Sequence, residues 1–309
     1  MSLRKSKLMQ CPIVKKPLVW LYMKCLLLIA LVLPDKMYLK WKAEKQLGMK
    51  LDLDDPKLFQ EKLHWLKLHD RKPIYHKMVD KYEAKEFIAS KVGAGYAIPT
   101  IGLYNSFDEI DFEKLPDKFV LKGTFDSGSY YICKDKKNLD VEKARKQLLV
   151  NWKHDYYIWS REWPYKGLKH RIIAEPLLAD PNSPELKEFK FFCFNGKPLI
   201  YQTCMDRNRS LGGAILHFFD IKGNLLDIQD GPHNRKSDTL VYPVNLDKML
   251  EICRILSAET YFLRVDFFEV GDNLYVGEMT FYENGGWCWF LPEHWNEDLG
   301  SWIQLPIDK

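Results

Sequence analysis

Two carboxylates, Asp266 and Glu278, stand where a single strand pairing would bring them face to face. Leu263 to Val270 and Leu274 to Phe281 are rich in β-branched and aromatic residues, and Gly271-Asp272-Asn273 between them is turn chemistry of hairpin length. With all three of those residues in the loop, Val270 pairs with Leu274, Asp266 lies opposite Glu278, and Arg264 lies opposite Thr280. Alternation then puts Arg264, Asp266, Glu278 and Thr280 on one face, and Val265, Phe267, Met279 and Phe281 on the other. Opposed like charges cost a sheet about 0.2–1 kcal/mol unless something intervenes. A cation would intervene, since Mg²⁺ is held by one or two carboxylates while phosphates and waters complete its octahedron. The face reads as a metal–nucleotide platform, or else as a solvated hairpin in which Arg264 neutralises Asp266.

The rest of the chain must position that face. Its 309 residues are 46% apolar, enough to bury a sizeable core in two or three subdomains. The net charge of +4 sets 46 basic against 42 acidic side chains, a balance that points to no nucleic-acid partner. The basic excess is local: Met1 to Lys50 carries Arg4, Lys5, Lys7, Lys15, Lys16, Lys24, Lys36, Lys40, Lys42, Lys45 and Lys50 against Asp35 and Glu44. The apolar run Leu18 to Leu33 is interrupted by Lys24 and falls short of the roughly 20 residues a spanning helix needs. It is a helix packed on the body, an interfacial membrane helix, or a short signal anchor. The seven cysteines form no CxxC, which argues against zinc or a disulfide framework and fits a reducing cytosol.

Leu51-Asp52-Leu53-Asp54-Asp55-Pro56 looks like a helix start, with Asp as N-cap and proline in the first turn; the DLD would otherwise be a nucleotide-sugar motif. Phe59, Leu63, Trp65 and Leu66 have helical spacing, and Lys77 to Val92 predicts a second helix ended by Gly93 and Gly95. Ile98-Pro99 leads into a strand-like IGLY. Lys118 to Ser129 is an apolar strand running into a loop of Asp, Ser and Gly, and Tyr130 to Cys133 returns from it. Val141 to Asn151 is helical, and the Trp/Tyr-rich Trp152 to Tyr165 forms a covering layer. Arg171 to Glu175 is a short strand ended by Pro176, and Asp180 to Pro184 is an exposed loop or linker. Asn195-Gly196 joins Glu188–Phe194 to Lys197–Thr203 in a hairpin, and Leu246 to Ser257 is a helix.

In order, the chain offers a lysine by a helix start, a strand lysine before a Gly/Ser loop, a carboxylate ending a mid-chain strand, and the paired-carboxylate hairpin. From about Asp54 onward, EKLHWLKLHDR, VDKYEAKEFI, FVLKGTFDSGS, REWPYKGLKHRIIAEPLL, KEFKFFCFNGKP and RVDFFEV…GEMTFY resemble the TupA-like ATP-grasp family of bacterial surface-polysaccharide clusters. The resemblance implies an α+β, ATP-grasp fold in which two α+β subdomains with antiparallel sheets grip a nucleotide behind a helical N-terminal region. It divides the chain into a basic, apolar segment (1–50), a helical region (51–115), a lid subdomain (116–180) and a C-terminal subdomain with the metal hairpin (181–309).

Carried over by position, Lys81 and Lys122 resemble the two ATP-contacting lysines, and Asp126-Ser127-Gly128-Ser129 the loop covering the phosphates. Glu175 resembles the hinge carboxylate that accepts from adenine or ribose. Lys190 resembles a basic residue aimed at phosphate or the acyl group, and Arg264 one that neutralises charge near the transferred phosphoryl. Asp266 and Glu278 match the Mg²⁺ carboxylates. Thr280 stands where a third ligand is often Asn, and Asn284 could supply the missing oxygen. The implied activity is a carboxylate–amine or thiol ligase using ATP and Mg²⁺, acting on a carboxylate-bearing glycan or precursor and an amine such as an amino acid. The expected location is cytoplasmic, with residues 1–50 available for contact with the inner face of the membrane. A glycosyltransferase acting through Asp52 and Asp54, and a non-catalytic scaffold recruited by the basic N-terminus, are the competing classes.

Overall fold

The computed structural model describes residues 24–180, 186–208, 213–231 and 237–307. Residues 1–23, with the first part of the apolar run, five of the basic residues and Cys11, lie outside them, as does most of the Asp180–Pro184 loop.

Residues 24–32 are helical, and Pro34 leads into α1 (Asp35–Gln46). The next helix, α2 (Phe59–His69), begins later than Pro56 suggests. Asp52 caps the preceding turn instead, its Oδ1 accepting the amides of Asp54 and Asp55 at 3.0 Å each. Glu61 does the capping of α2, accepting the amides of Lys57 and Leu58 at 3.0 Å each. The single helix expected from Lys77 to Val92 is two, α3 (Ile74–Val79) and α4 (Glu83–Val92). Asp80 turns the backbone out of the helix, and its Oδ1 accepts the amides of Tyr82 (2.9 Å) and Glu83 (3.0 Å), which starts α4 anew. Lys81 sits in that break.

The smaller sheet contains β1 (Gly102–Tyr104), β2 (Phe119–Gly123) and β3 (Tyr130–Cys133). After α5 (Val141–Leu148) and the single turn α6 (Tyr157–Ser160) comes β4 (Ile172–Pro176), giving an antiparallel order β1-β4-β2-β3. Ala144 and Leu148 of α5 pack with Phe119, Leu121 and Tyr131 into a core of its own.

The larger sheet is antiparallel and six-stranded. Its members are β5 (Lys187–Phe194), β6 (Lys197–Asn208), β7 (Gly213–Asp220) and β8 (Leu225–Leu226), joined after β9 (Gln229–Asp230) and α7 (Leu246–Ser257) by β10 (Phe262–Val270) and β11 (Asn273–Thr280). The order is β11-β10-β5-β6-β7-β8, and β12 (Phe290–Leu291) pairs with β9 ahead of the last helix, α8 (His294–Trp302). Asn195 and Gly196 both take positive φ, 47° and 78°, as a two-residue hairpin turn demands. Met249, Ile252, Cys253 and Leu256 of α7 form one buried stripe against the sheet, each aliphatic side chain contributing about 1.5–3 kcal/mol by leaving water.

The β10–β11 hairpin gives the expected pairings, Asp266 with Glu278 and Arg264 with Thr280, by a different route. Its loop is Gly271-Asp272 alone, and Val270 pairs with Asn273 rather than Leu274. A bulge after Asp266 absorbs one extra residue on β11 and restores the count. Gly277 makes this possible: a Cβ there would lie 2.5 Å from the Phe268 ring. Val265, Phe267, Met279 and Phe281 fill the core as the alternation requires.

Candidate active site

On the polar face of that hairpin a cleft of about 330 Å³ opens, lined by Lys190, Arg264, Glu278, Thr280 and Asn284 from the larger sheet's side. Ser127, Tyr156 and Glu162 close it from the other side. Cross-strand register explains the first group, because Lys190 on β5 pairs directly with Asp266 on β10, which pairs with Glu278 on β11.

Arg264 organises the floor. Its Nε and NH2 donate to the two oxygens of Asp266 at 2.6 and 2.8 Å, and its NH1 donates to Glu283 at 2.5 Å. Burial alone would weaken the guanidinium's hold on its proton, but Asp266 and Glu283 outweigh it and drive its pKa well above the ordinary value. Lys190 Nζ stands 4.0 Å from Asp266. The pairing of Arg264 with Asp266, the alternative to a metal platform, is thus present, while Glu278 is only loosely balanced, 4.0 Å from Arg264 and with 42% of its side chain exposed in the cleft. Thr280 Oγ1, two residues along the same face, is buried with no hydrogen-bond partner. A divalent cation would fit here, taking oxygen from Glu278, Thr280 and an edge of Asp266. No group of three or more His, Cys, Asp or Glu among the described residues is a metal cage, so such a cation would need further oxygens from a substrate. Asn284 lines the same cleft with its amide nitrogen 3.2 Å from Asp230.

The lysines lie next to this floor. Lys81 Nζ donates to the carbonyl of Gly123 (2.9 Å) and to that of Asp126, and its own amide donates to Thr124 (3.1 Å). It therefore pins the loop after β2, which it can do only because α3 and α4 part at Asp80. Burial lowers the pKa of Lys81, opposed by Asp126 and Glu278 and reinforced by Lys122. The loop itself is built around Asp126, whose Oδ2 accepts from Ser129 and from Asn151 (2.6 Å) while its Oδ1 is buried without a partner. Ser129 and Asp126 are thus engaged in shaping the loop with Gly128 at its tip, and Ser127 is its residue that faces the cleft.

Glu175, at the end of β4, grips two lysines at 2.6 Å each, Lys85 through Oε1 and Lys122 through Oε2. Burial pushes this carboxyl up, but Lys122 and Lys85 prevail and leave it below its usual range. Lys85 was not singled out from the sequence, although it lies four residues after Lys81, on α4. Two more groups emerge only in three dimensions. Glu162 is raised to about 7 by burial against the pull of Lys67 and Lys42, and Glu283 anchors Arg264. Neither has a local sequence signal beyond being a charge amid aromatic residues.

A family model described as TupA-like ATPgrasp matches residues 61–304. The chain belongs to this family. Among solved structures, this ATP-grasp chain is similar to the D-alanyl-alanine synthetase A of Vibrio cholerae O1 biovar eltor, with 10% identity, 74% of this chain and 61% of that one covered, and a TM-score of 0.42. It is similar also to the D-alanine–D-alanine ligases of Helicobacter pylori (14%, 75% and 60%, 0.40) and Bacillus anthracis (15%, 66% and 56%, 0.38). It spans less than two thirds of the length of each of these chains. No curated protein matches it significantly.

Proposed function

We propose that this chain is an ATP- and Mg²⁺-dependent ligase that joins a carboxylate to an amine through an acyl phosphate. The observation that carries the reading is the hairpin face: Glu278 exposed in the cleft, unpartnered Thr280 Oγ1 beside it, and Arg264 fixed between two buried carboxylates. Membership of the ATP-grasp family adds the nucleotide. Lys81 and Lys122, on either side of the loop 123–129, would position the phosphates, and Ser127 would approach them from that loop. Bound Mg²⁺ would supply charge neutralisation between phosphate oxygens.

Within that frame the substrate carboxylate attacks the γ-phosphorus, ADP leaves, and the amine then displaces inorganic phosphate to form the amide. Arg264 faces the oxygens on which negative charge grows, and its rigid anchoring means that little reorganisation is needed in the transition state. Lys190, held near Asp266, would orient the acyl group. The family's association supports an acid on a bacterial surface glycan or its precursor and an amino acid as the amine.

The transferase reading loses its main support, since Asp52 is engaged in a turn and Asp54 pairs with Lys36 at 2.6 Å. No helix among the described residues is long and apolar enough to cross a membrane. Exposed Leu28, Leu31 and Val32 on the helical stretch 24–32 support peripheral contact of residues 1–50 with the inner face of a membrane.

Thermal unfolding with and without Mg-ATP tests the proposal. At about 100 times its dissociation constant the nucleotide should stabilise the fold by roughly 2.7 kcal/mol. Glu278→Gln should lose most of that stabilisation. An unresponsive wild type, or stabilisation by nucleotide sugars in place of ATP, would overturn the ligase reading.

A further inference from the structure

The charges along the cleft form a series. Lys122 pairs with Glu175, Lys81 interacts with Lys122, Asp126 and Glu278, and Glu162 interacts with Glu278, Lys67 and Lys42. Lys122 and Lys81 are the lysines proposed for the nucleotide. Lys42 belongs to α1, which lies outside the matched residues 61–304.

α1 is fastened in place through Asp35 and Tyr38. Asp35 pairs with Arg161 and with Arg71 at 3.0 Å each and accepts from the Tyr157 hydroxyl. The Arg161 guanidinium lies 4.2 Å from the Tyr38 ring centroid, and the Tyr38 hydroxyl donates to the Trp159 carbonyl at 3.2 Å. The result is that Lys42 reaches the cleft wall between Trp159, whose carbonyl accepts from its Nζ at 2.6 Å, and the Trp287 ring, 5.0 Å away.

Lys67 and Glu162 account for each other. Lys67 is fully buried and donates to the carbonyls of Ser160 (2.8 Å) and Gly285 (2.6 Å), and Glu162 is its strongest electrostatic partner. Whether that pair is charged or neutral, its net charge is zero. Lys42 has no such close partner: among the described residues no carboxylate lies within ion-pair distance of it, and its Nζ makes one hydrogen bond, to the Trp159 carbonyl. Burial lowers its pKa to about 8 against the help of Glu162, and Arg161 adds to the depression.

We infer that Lys42 receives a carboxylate of the substrate in the cleft, beside the Trp159 carbonyl and the Trp287 ring, so that the N-terminal helix is a working wall of the site. The inference rests on the ligase reading for its choice of substrate. The carboxylate could belong to a sugar acid or to an amino acid, and the aromatic walls admit either.

The test uses the full chain, alone and with Mg-ADP, and measures binding of D-glucuronate against D-glucose and of glycine against glycinamide by calorimetry. One acid should bind while its counterpart lacking the carboxylate does not, and which acid does so identifies the source. Lys42→Met should weaken that acid by about tenfold or more, equivalent to roughly 1.4 kcal/mol. Lys42→Arg should hold it within a few-fold, and both variants should keep the wild-type response to Mg-ATP. Reductive methylation of wild-type protein, read by peptide mass spectrometry, should show Lys42 protected by the acid, which keeps the test open should Lys42→Met fail to fold. The inference is overturned if neither acid binds wild type, if the acid and its carboxylate-free counterpart bind alike, or if Lys42→Met binds undiminished. The ligase reading fails separately, through absence of the Mg-ATP response.

Discussion

Glu175→Gln should destabilise the protein sharply, in a way that depends on pH with a definite sign. The carboxylate is buried and makes two ion pairs of 2.6 Å, to Lys85 and to Lys122, whose side chains are 15% and 26% exposed. Removing one partner of a fully buried pair costs about 3–5 kcal/mol because a charge is stranded. Here water reaches both lysines, so about 2–3 kcal/mol is expected. For a chain of 309 residues that is roughly 3–5 °C in Tm. The folded-state pKa of Glu175 is depressed, so its contribution is complete above the unfolded-state carboxyl range and is lost as pH falls through the folded value. The gap between wild type and Glu175→Gln should be widest near neutrality and close on acidification, read by thermal melts over a pH series. A difference under about 1 °C at pH 7, or one that widens as pH falls, would refute the electrostatic account.

Gly277→Ala should cost about 1–3 kcal/mol, since the new Cβ would lie 2.5 Å from the Phe268 ring, and should weaken the stabilisation by Mg-ATP by shifting Glu278. Melting with and without nucleotide reads both effects. Lys81→Met removes the bonds to the Gly123 and Asp126 carbonyls, and hydrogen exchange should accelerate in 123–129 with an overall loss of about 1–2 kcal/mol. Gly300→Ala would put a Cβ 2.1 Å from the Lys57 carbonyl oxygen, a backbone atom that cannot swing aside, so on the order of 3 kcal/mol is lost in denaturant titration with α8 pushed off the start of α2.

Elements with strong periodicity or one decisive turn were legible in the sequence. α7 follows its apolar stripe from Leu246 to Ser257, and Asn195-Gly196 alone specifies the β5–β6 hairpin. The pairing of Asp266 with Glu278 was also legible, although the loop was one residue shorter than its composition suggested and Gly277 made up the difference. A glycine inside a strand pattern is itself a sign of a bulge. The break at Asp80 had a signal too, an Asp followed three residues later by Glu83, the spacing of a capped helix start within an otherwise helical stretch. Glu162, Lys67 and Lys42 had none, because they come from three separate segments and acquire meaning only when α1 docks on 157–161. Local pattern reports secondary structure well, but compensation of buried charge is a property of the folded packing.

The bulge at Gly277 has an evolutionary corollary. Because it lies between the site and the turn, the alignment of Arg264, Asp266, Glu278 and Thr280 is set on the site's side of the hairpin and owes nothing to what happens at Gly271-Asp272. The tip can therefore gain or lose residues over generations without disturbing the chemistry. Insertions and deletions among homologues should gather there, while the stretch from Val276 to Thr280 keeps its length. An epitope or fluorophore placed at Asp272 would by the same logic report on the hairpin while leaving the cleft intact.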